Sequence, residues 1–179
     1  MLISLVVTVI GPDRPGLVSL LSDRAKALGA SWAESRMVSL AGQFAGIVRF
    51  EVPAENSEPL AVALTELESL GLRVVIASGK DAPAHPDCRL LKLDLVGHDR
   101  PGIIRDISRV LADCGISIDE LHTEIVSGAM SGGNLFQAKA LLQVPAGLAT
   151  GELRRVLEAL ANELMVDIAL DDAVTRLPL

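Results

Sequence analysis

The chain has 179 residues, half of them hydrophobic but only 2% aromatic, and its formal net charge is −7. This composition suits an aliphatic α/β core and argues against a nucleic-acid-binding face, which requires clustered Lys and Arg. Two cysteines, Cys88 and Cys114, are too few for a disulfide framework or a metal site, so we expect a reducing, cytoplasmic setting.

The first predicted elements are a strand and a helix. Apolar residues occupy both faces of an extended segment over residues 2–10 and then recur at helical spacing over residues 17–28, where Gly29 ends the helix. The start has neither the basic region nor the cleavage site of a signal peptide. No apolar run approaches the length of a membrane span.

The rest of the first repeat is predicted to contain a hairpin, a second helix and a last strand. A hairpin is predicted over residues 31–52 around Ala41-Gly42-Gln43. A helix follows from Ser57, expected to be its N-cap, to Leu70, and a last strand covers residues 73–78. The order βαββαβ predicts a ferredoxin-like sandwich, an α+β fold with both helices on one face of a four-stranded antiparallel sheet.

A six-residue motif occurs twice, as Gly-Pro-Asp-Arg-Pro-Gly at residues 11–16 and as Gly-His-Asp-Arg-Pro-Gly at residues 97–102. Each copy joins a first strand to a first helix, which makes the chain an internal duplication. We expect the aspartate to cap the helix and the proline to lie in its first turn. The second glycine would leave room for an anion at the free amides of that turn.

The domains are predicted to cover residues 1–79 and 89–179. Residues 80–88 form a polar linker with two prolines. The repeats match without a gap from Leu5 and Leu91 onward, and this match makes Cys114 a core position.

The second hairpin carries about six extra residues within the glycine-rich segment 126–134. This insertion either only lengthens the turn or reaches the partner repeat, with Asn134 as a polar contact to a ligand.

Catalytic signatures are missing from the sequence. His85, His98 and His122 have no partner at catalytic or metal-binding spacing, and there is no phosphate loop or nucleophile elbow. Asp119-Glu120 and Asp171-Asp172 are interpreted as solvated turns. We therefore expect no enzyme activity, no cofactor and no metal site.

Two βαββαβ units, each with Gly-x-Asp-Arg-Pro-Gly after the first strand, resemble a tandem pair of ACT domains over nearly the whole chain. The motif is similar to that of glycine cleavage system repressors. The resemblance implies that a small amino acid, glycine or a similar one, binds near the turn before the first helix at an interface between ACT domains.

The candidate ligand-binding residues lie in and beside the two motifs. Backbone amides would hold the carboxylate, an aspartate would receive the ammonium group, and His98 is either a ligand contact or an exposed turn residue. The candidates are Asp13, Arg14, Pro15, Gly16, Leu17, His98, Asp99, Arg100, Pro101, Gly102, Ile103 and Asn134. Helix capping alone also explains the motif, so both interpretations remain open.

The resemblance implies an amino-acid-sensing transcriptional regulator that acts through a DNA-binding activator protein. We expect neither direct nucleic-acid binding nor membrane binding. We expect the chain to form a homodimer. Two other functions fit the same residues. One is a ligand-free dimerisation scaffold, and the other is a regulatory subunit of an enzyme of one-carbon or nitrogen metabolism.

Overall fold

The computed structural model describes residues 1–79, 87–127 and 133–172. The chain separates into two compact units, Met1–Ala84 and His85–Leu179. Most of the predicted linker, residues 80–86, lies outside the described residues. No helix in the described ranges is long and apolar enough to cross a membrane.

The first unit follows the predicted order. Its elements are β1 (Leu2–Pro12), α1 (Leu17–Ala27), β2 (Ser31–Leu40), β3 (Gln43–Pro53), α2 (Ser57–Thr65) and β4 (Arg73–Ser78). Ala41 and Gly42 both have positive φ, as a two-residue type I′ hairpin turn requires.

The second helix differs from its prediction. The α-helical part is flanked by 3-10 turns at Ala54–Asn56 and Glu66–Leu70. Ser57 is not the N-cap, because Asn56 holds that place and the Ser57 hydroxyl donates to the carbonyl of Ala54. Gly71, at φ 86°, ends the second 3-10 turn.

The sheet of the first unit has the strand order β2-β3-β1-β4, with every neighbouring pair antiparallel. β1 is central, and Val7 lies opposite both Val48 and Ile76. This confirms the predicted ferredoxin-like βαββαβ fold.

One face of this sheet packs against the two helices. The fully or nearly buried side chains come from alternate positions of β1 and β3 and from the helix stripes. The core of the first unit is Leu5, Val7, Val9, Leu17, Leu21, Ala25, Phe44, Val48, Phe50, Val52, Leu60, Leu64, Leu67 and Leu72. Trp32 on β2 meets Phe50 edge-on, with ring centroids 5.2 Å apart.

The second unit repeats this architecture. Its elements are β5 (Cys88–His98), α3 (Ile103–Asp113), β6 (Ser117–Ser127), β7 (Asn134–Pro145), α4 (Thr150–Leu164) and β8 (Val166–Asp172). Its strand order, β6-β7-β5-β8, is the same. Cys114, predicted as a core position, is half-buried against this unit's core.

Strand pairing confirms the longer second hairpin. Gly11 pairs with Phe44 in the first unit and Gly97 with Phe136 in the second, so the second hairpin is six residues longer. Both edge strands have a register shift at matching places, between Trp32 and Glu34 and between Ile118 and Glu120.

The first glycine of each motif permits a close approach of two chain segments. A Cβ on Gly11 would lie 2.7 Å from the carbonyl oxygen of Gly71, in the turn that precedes β4. A Cβ on Gly97 would overlap the side chain of Val166, the first residue of β8. The absence of a side chain therefore allows the last strand of each unit to pair beside the first.

Replacing Gly11 by Ala is expected to destabilise the first unit by about 1–3 kcal/mol, because backbone atoms must move to admit the methyl group. Urea unfolding of the variant would measure the change. Gly151→Ala is the control, since nothing lies within 4 Å of a Cβ at that helical position. Equal stability of the two variants would contradict the close-approach argument.

Candidate functional site

The first motif turn is tied to the tip of the β2–β3 hairpin. The Asp13 amide donates to the carbonyl of Gly42 over 2.9 Å, and the Ser39 hydroxyl donates to Asp13 Oδ2 over 2.5 Å. The predicted capping role of Asp13 is therefore wrong, because its carboxylate is oriented toward β2.

Gly16 is the N-cap of α1, and no side chain caps this helix. Its φ of 93° lies in the left-handed region, which turns the chain into the helix and favours glycine. Pro15 precedes the N-cap, so the expectation that it lies in the first helical turn is also wrong.

Arg14 has a structural contact that the sequence did not reveal. Its Nη2 donates to the carbonyl of Leu70 over 2.9 Å, at the end of the 3-10 turn after α2. A guanidinium at this position satisfies a terminal carbonyl of a helical segment. Arg14 thereby links the motif turn to the chain just before β4.

The start of α1 has three backbone amides that precede the first hydrogen bond of the helix. The first hydrogen bond inside the helix runs from the Leu20 amide to the carbonyl of Gly16, so the amides of Leu17, Val18 and Ser19 precede it. Nothing lies within 4 Å of a Cβ position on Gly16. The Leu17 side chain is buried in the core, so this residue can offer only its amide. Uncapped amides at a helix start attract an anion.

The second motif turn has the same backbone arrangement. The Asp99 amide donates to the carbonyl of Asn134 over 3.1 Å, which matches the bond from Asp13 to Gly42. Asn134, predicted as a ligand contact, thus supports the turn through its backbone. Gly102, at φ 101°, is the N-cap of α3 and no side chain caps it. The predicted capping by Asp99 and the placement of Pro101 in the helix are wrong, because Gly102 is the N-cap and Pro101 precedes it.

The start of α3 differs from that of α1 because it carries its own carboxylate. Asp106 Oδ2 lies 3.7 Å from a Cβ position on Gly102, and Arg105 binds Asp106 at 2.8 Å. α1 has no acidic residue in its first turn. The first turn of α3 therefore carries an acidic side chain, paired with Arg105, that the first turn of α1 lacks.

The remaining candidates of the second motif lie partly on the surface and partly in the core. His98, Arg100 and Pro101 are exposed, and His98 pairs with Leu135 at the end of β5. The Ile103 side chain is buried in the second core. Within the glycine-rich insertion, residues 128–132 lie outside the described residues.

The acidic pairs lie in strands. Asp119 occupies the register shift of β6 and accepts a hydrogen bond from Gln143, while Asp171 and Asp172 end β8. The expectation of turns is wrong for both pairs, but Asp119, Asp171 and Asp172 are exposed to solvent as expected. Within the described ranges, no three His, Cys, Asp or Glu side chains are grouped so that they could hold a metal ion.

Two long-range residues, Ser39 and Leu70, contact the first motif and were missed by sequence reasoning, because hydrogen bonds between distant segments leave no local pattern. The acidic residue Asp106, in contrast, could have been found from the sequence. It replaces Leu20 in the match between the repeats and lies in the first turn of a predicted helix.

The ACT domain family model matches the chain twice, over residues 4–77 and 89–171. No protein of curated function matches the chain. Among solved structures, one described only as an unknown protein from Galdieria sulphuraria is 32% identical, with a TM-score of 0.88 over 97% of this chain and 100% of that chain. A candidate glycine cleavage system transcriptional repressor is 18% identical, with a TM-score of 0.70 over 96% of this chain and 97% of that chain.

Arg14→Ala is expected to lower the free energy of unfolding by about 0.5–1.5 kcal/mol, because the carbonyl of Leu70 loses its charged donor. Chemical denaturation would measure this loss. Arg100→Ala is the matched variant in the second motif, where no comparable bond occurs within the described residues, and it should cost less than about 0.5 kcal/mol. Equal losses would show that the contact with Leu70 is not stabilising.

Proposed function

The chain belongs to the ACT domain family, a family of regulatory domains, and on that premise we propose that it senses a small amino acid and transmits the bound state to a partner protein. The observation that carries the proposal is the start of α1, where uncapped amides lie next to a glycine with open space in place of a side chain. The proposed role is regulatory and not catalytic, and the proposed location is the cytoplasm.

The ligand is proposed to bind with its carboxylate at the amides of Leu17, Val18 and Ser19. Asp13 is exposed at the same turn, and its carboxylate would receive the ammonium group. The ligand's negative carboxylate would thus lie at the positive end of the helix dipole, and its positive ammonium group would lie at the negative Asp13 carboxylate. Glycine or a similar small amino acid is proposed, in keeping with the motif's resemblance to glycine cleavage system repressors.

The first unit is the proposed binding unit. Asp106 places a negative charge at the start of α3, whereas α1 has none in its first turn. The two turns have matching backbone bonds, and the proposal uses this difference in charge to choose between them. The second motif is proposed to act mainly as a structural turn.

The proposed partner is a DNA-binding activator protein, and the proposed assembly is a homodimer. A chain of net charge −7 is repelled by the phosphate backbone, so repression through a protein is easier to achieve than repression by holding DNA. The name of the second structural relative refers to transcriptional repression by that protein. Ligand binding would shift the partner affinity only by the difference in ligand affinity between two states.

A thermal-shift screen against the common amino acids tests the ligand. A ligand at about one hundred times its dissociation constant adds about 2.7 kcal/mol of stability, which raises the Tm by several degrees. A selective rise with glycine or a near relative is the expected result. No rise with any amino acid would contradict the sensor and favour the ligand-free scaffold.

Ser19→Asp is expected to weaken amino-acid binding at least about fivefold while it stabilises α1 by about 0.3–1 kcal/mol, because the new carboxylate repels the ligand but suits the helix dipole. Calorimetric titration would measure the affinity. Ser22→Asp, also exposed but one turn further along α1, makes the same charge change and should leave the affinity within twofold. Gly16 is less suitable for this test, since any side chain at φ 93° strains the backbone.

The mode of action predicts that the purified protein leaves the migration of DNA unchanged in a gel-shift assay at physiological salt. Affinity capture with the tagged chain should recover a DNA-binding protein. Adding the ligand should change the amount of that protein that is recovered. Tight, sequence-specific DNA binding by the chain alone would contradict the proposal. Capture of a metabolic enzyme instead would favour a regulatory subunit.

A further inference from the structure

The first sheet has an apolar surface on the face that points away from its helices. The core positions of each strand face the helices, so the alternate residues lie on the outer face. Uncharged side chains from all four strands adjoin one another there, and we call them the outer patch: Thr8, Ile10, Val38, Ala45, Ile47 and Val75. Ile10 and Ile47 are 45% and 46% exposed, and Val38 and Val75 are 55% and 64% exposed.

The outer patch consists of two adjacent rows of cross-strand neighbours. In one row, Val38 lies opposite Ala45, which in turn lies opposite Ile10. In the other row, Ile47 and Val75 lie on either side of the same residue of β1. Neighbouring strands are about 4.8 Å apart, so each side chain contacts the next one along its row. The patch is therefore one continuous surface.

Each row ends in an arginine, and the two arginines lie at opposite edges of the sheet. Arg73 of β4 follows Ile10 in the first row, and Arg36 of β2 follows Ile47 in the second. Arg73 is exposed, and Arg36 lies 3.6 Å from Glu34 with both side chains partly exposed. The whole chain has a net charge of −7, so this border is opposite in sign to the chain. The outer patch is thus apolar at its centre and carries a positive group on each side.

The second unit does not repeat this surface. Strand pairing places Lys139 at the position of Ile47 and Glu124 at the position of Val38. An antiparallel sheet with one covered face normally carries polar side chains on the other, as this unit does. Because both units have the same fold, the fold does not require the outer patch. An exposed apolar surface of this kind is typical of an interaction site.

We propose that the outer patch binds an amphipathic helix of a partner protein, one whose apolar stripe is bordered by carboxylates on both sides. A helix with its side chains is about 10 Å wide, which is about the spacing of two strands. A helix laid along the central strands β3 and β1 would have Arg36 on one side and Arg73 on the other. Its apolar stripe would cover the isoleucines, and its carboxylates would pair with the guanidinium groups. The identity of the partner rests on the proposed function, whereas the surface itself does not.

Other occupants match the outer patch less well. Two copies of the chain placed face to face would bring the arginines of both copies into one interface, where like charges repel each other. An anionic membrane would suit the arginines, but it would repel a chain with a net charge of −7. An acidic helix matches both the apolar centre and the basic border.

Two synthetic peptides test the charge pattern. Both form amphipathic helices of about 18 residues with leucines on one face, and the border positions are glutamate in one peptide and lysine in the other. Fluorescence anisotropy with the full chain at low ionic strength should show binding of the glutamate peptide and at least about tenfold weaker binding of the lysine peptide. Equal affinity for the two peptides, or binding of neither, would overturn the proposal.

Arg73→Glu tests whether the peptide binds at the outer patch. The variant should bind the glutamate peptide at least about tenfold more weakly and the lysine peptide more tightly, because the charge of the border is reversed on one side. The gain with the lysine peptide distinguishes a reversed charge from a general loss of structure. Arg109→Glu makes the same charge change at an exposed position of α3 in the other unit, and it should change neither affinity by more than about twofold.

Ile47→Thr tests the apolar centre. Threonine keeps the β-branched shape that suits a strand but removes apolar surface, so the affinity for the glutamate peptide should fall about fivefold. Val62→Thr is the control, since Val62 is 57% exposed on α2, which lies on the other face of the sheet, and this variant should keep the affinity. Equal affinities of the two variants would show that the peptide binds elsewhere and would overturn the outer patch.

Further outcomes separate this surface from other occupants and from the sensor. Binding of vesicles of anionic lipid without binding of the glutamate peptide would replace the helix by a membrane. A dimer that dissociates in the Ile47→Thr variant would replace it by a second copy of the chain. Peptide binding in a chain that no amino acid stabilises would support the surface and contradict the sensor. An amino-acid response without peptide binding would do the reverse.

Discussion

The fold of each unit depends on one close approach, between the end of the first strand and the segment that leads into the last strand. Gly11 meets the backbone at Gly71, and Gly97 meets Val166. A side chain at either glycine would push the last strand away from β1 or β5, which is the central strand that it pairs with. This contact lies at the first residue of each motif, directly before the turn that leads into the first helix.

The two repeats share a backbone and differ in what they leave available. The matching amide-to-carbonyl bonds, from Asp13 to Gly42 and from Asp99 to Asn134, show that the hairpin that follows the first helix supports the motif turn in both units. In the first unit, the first turn of α1 has no acidic residue. In the second unit, the first turn of α3 contains Asp106, which Arg105 binds.

Much of the architecture could be predicted because hydrophobic periodicity reports local structure. The strands, the hairpin turn at Ala41 and Gly42, and the longer second hairpin all have sequence signals within a few residues. The capping predictions failed for a different reason. Aspartate and glycine are both common N-cap residues, and the choice of Gly16 over Asp13 depends on the hairpin tip, which comes more than 20 residues later. A strand with a register shift also resembles a turn in sequence, which explains the error at Asp119.

The sequence by itself determined the duplication, the order of elements and the family resemblance, because each of these is written in repeated or periodic residues. Only the tertiary structure decided which contacts the groups of the motif make. Asp13 is engaged by Ser39, Arg14 by Leu70, and the amides at the start of α1 by no capping side chain. These bonds join segments that are far apart along the chain, and such contacts exist only once the sheet has brought those segments together.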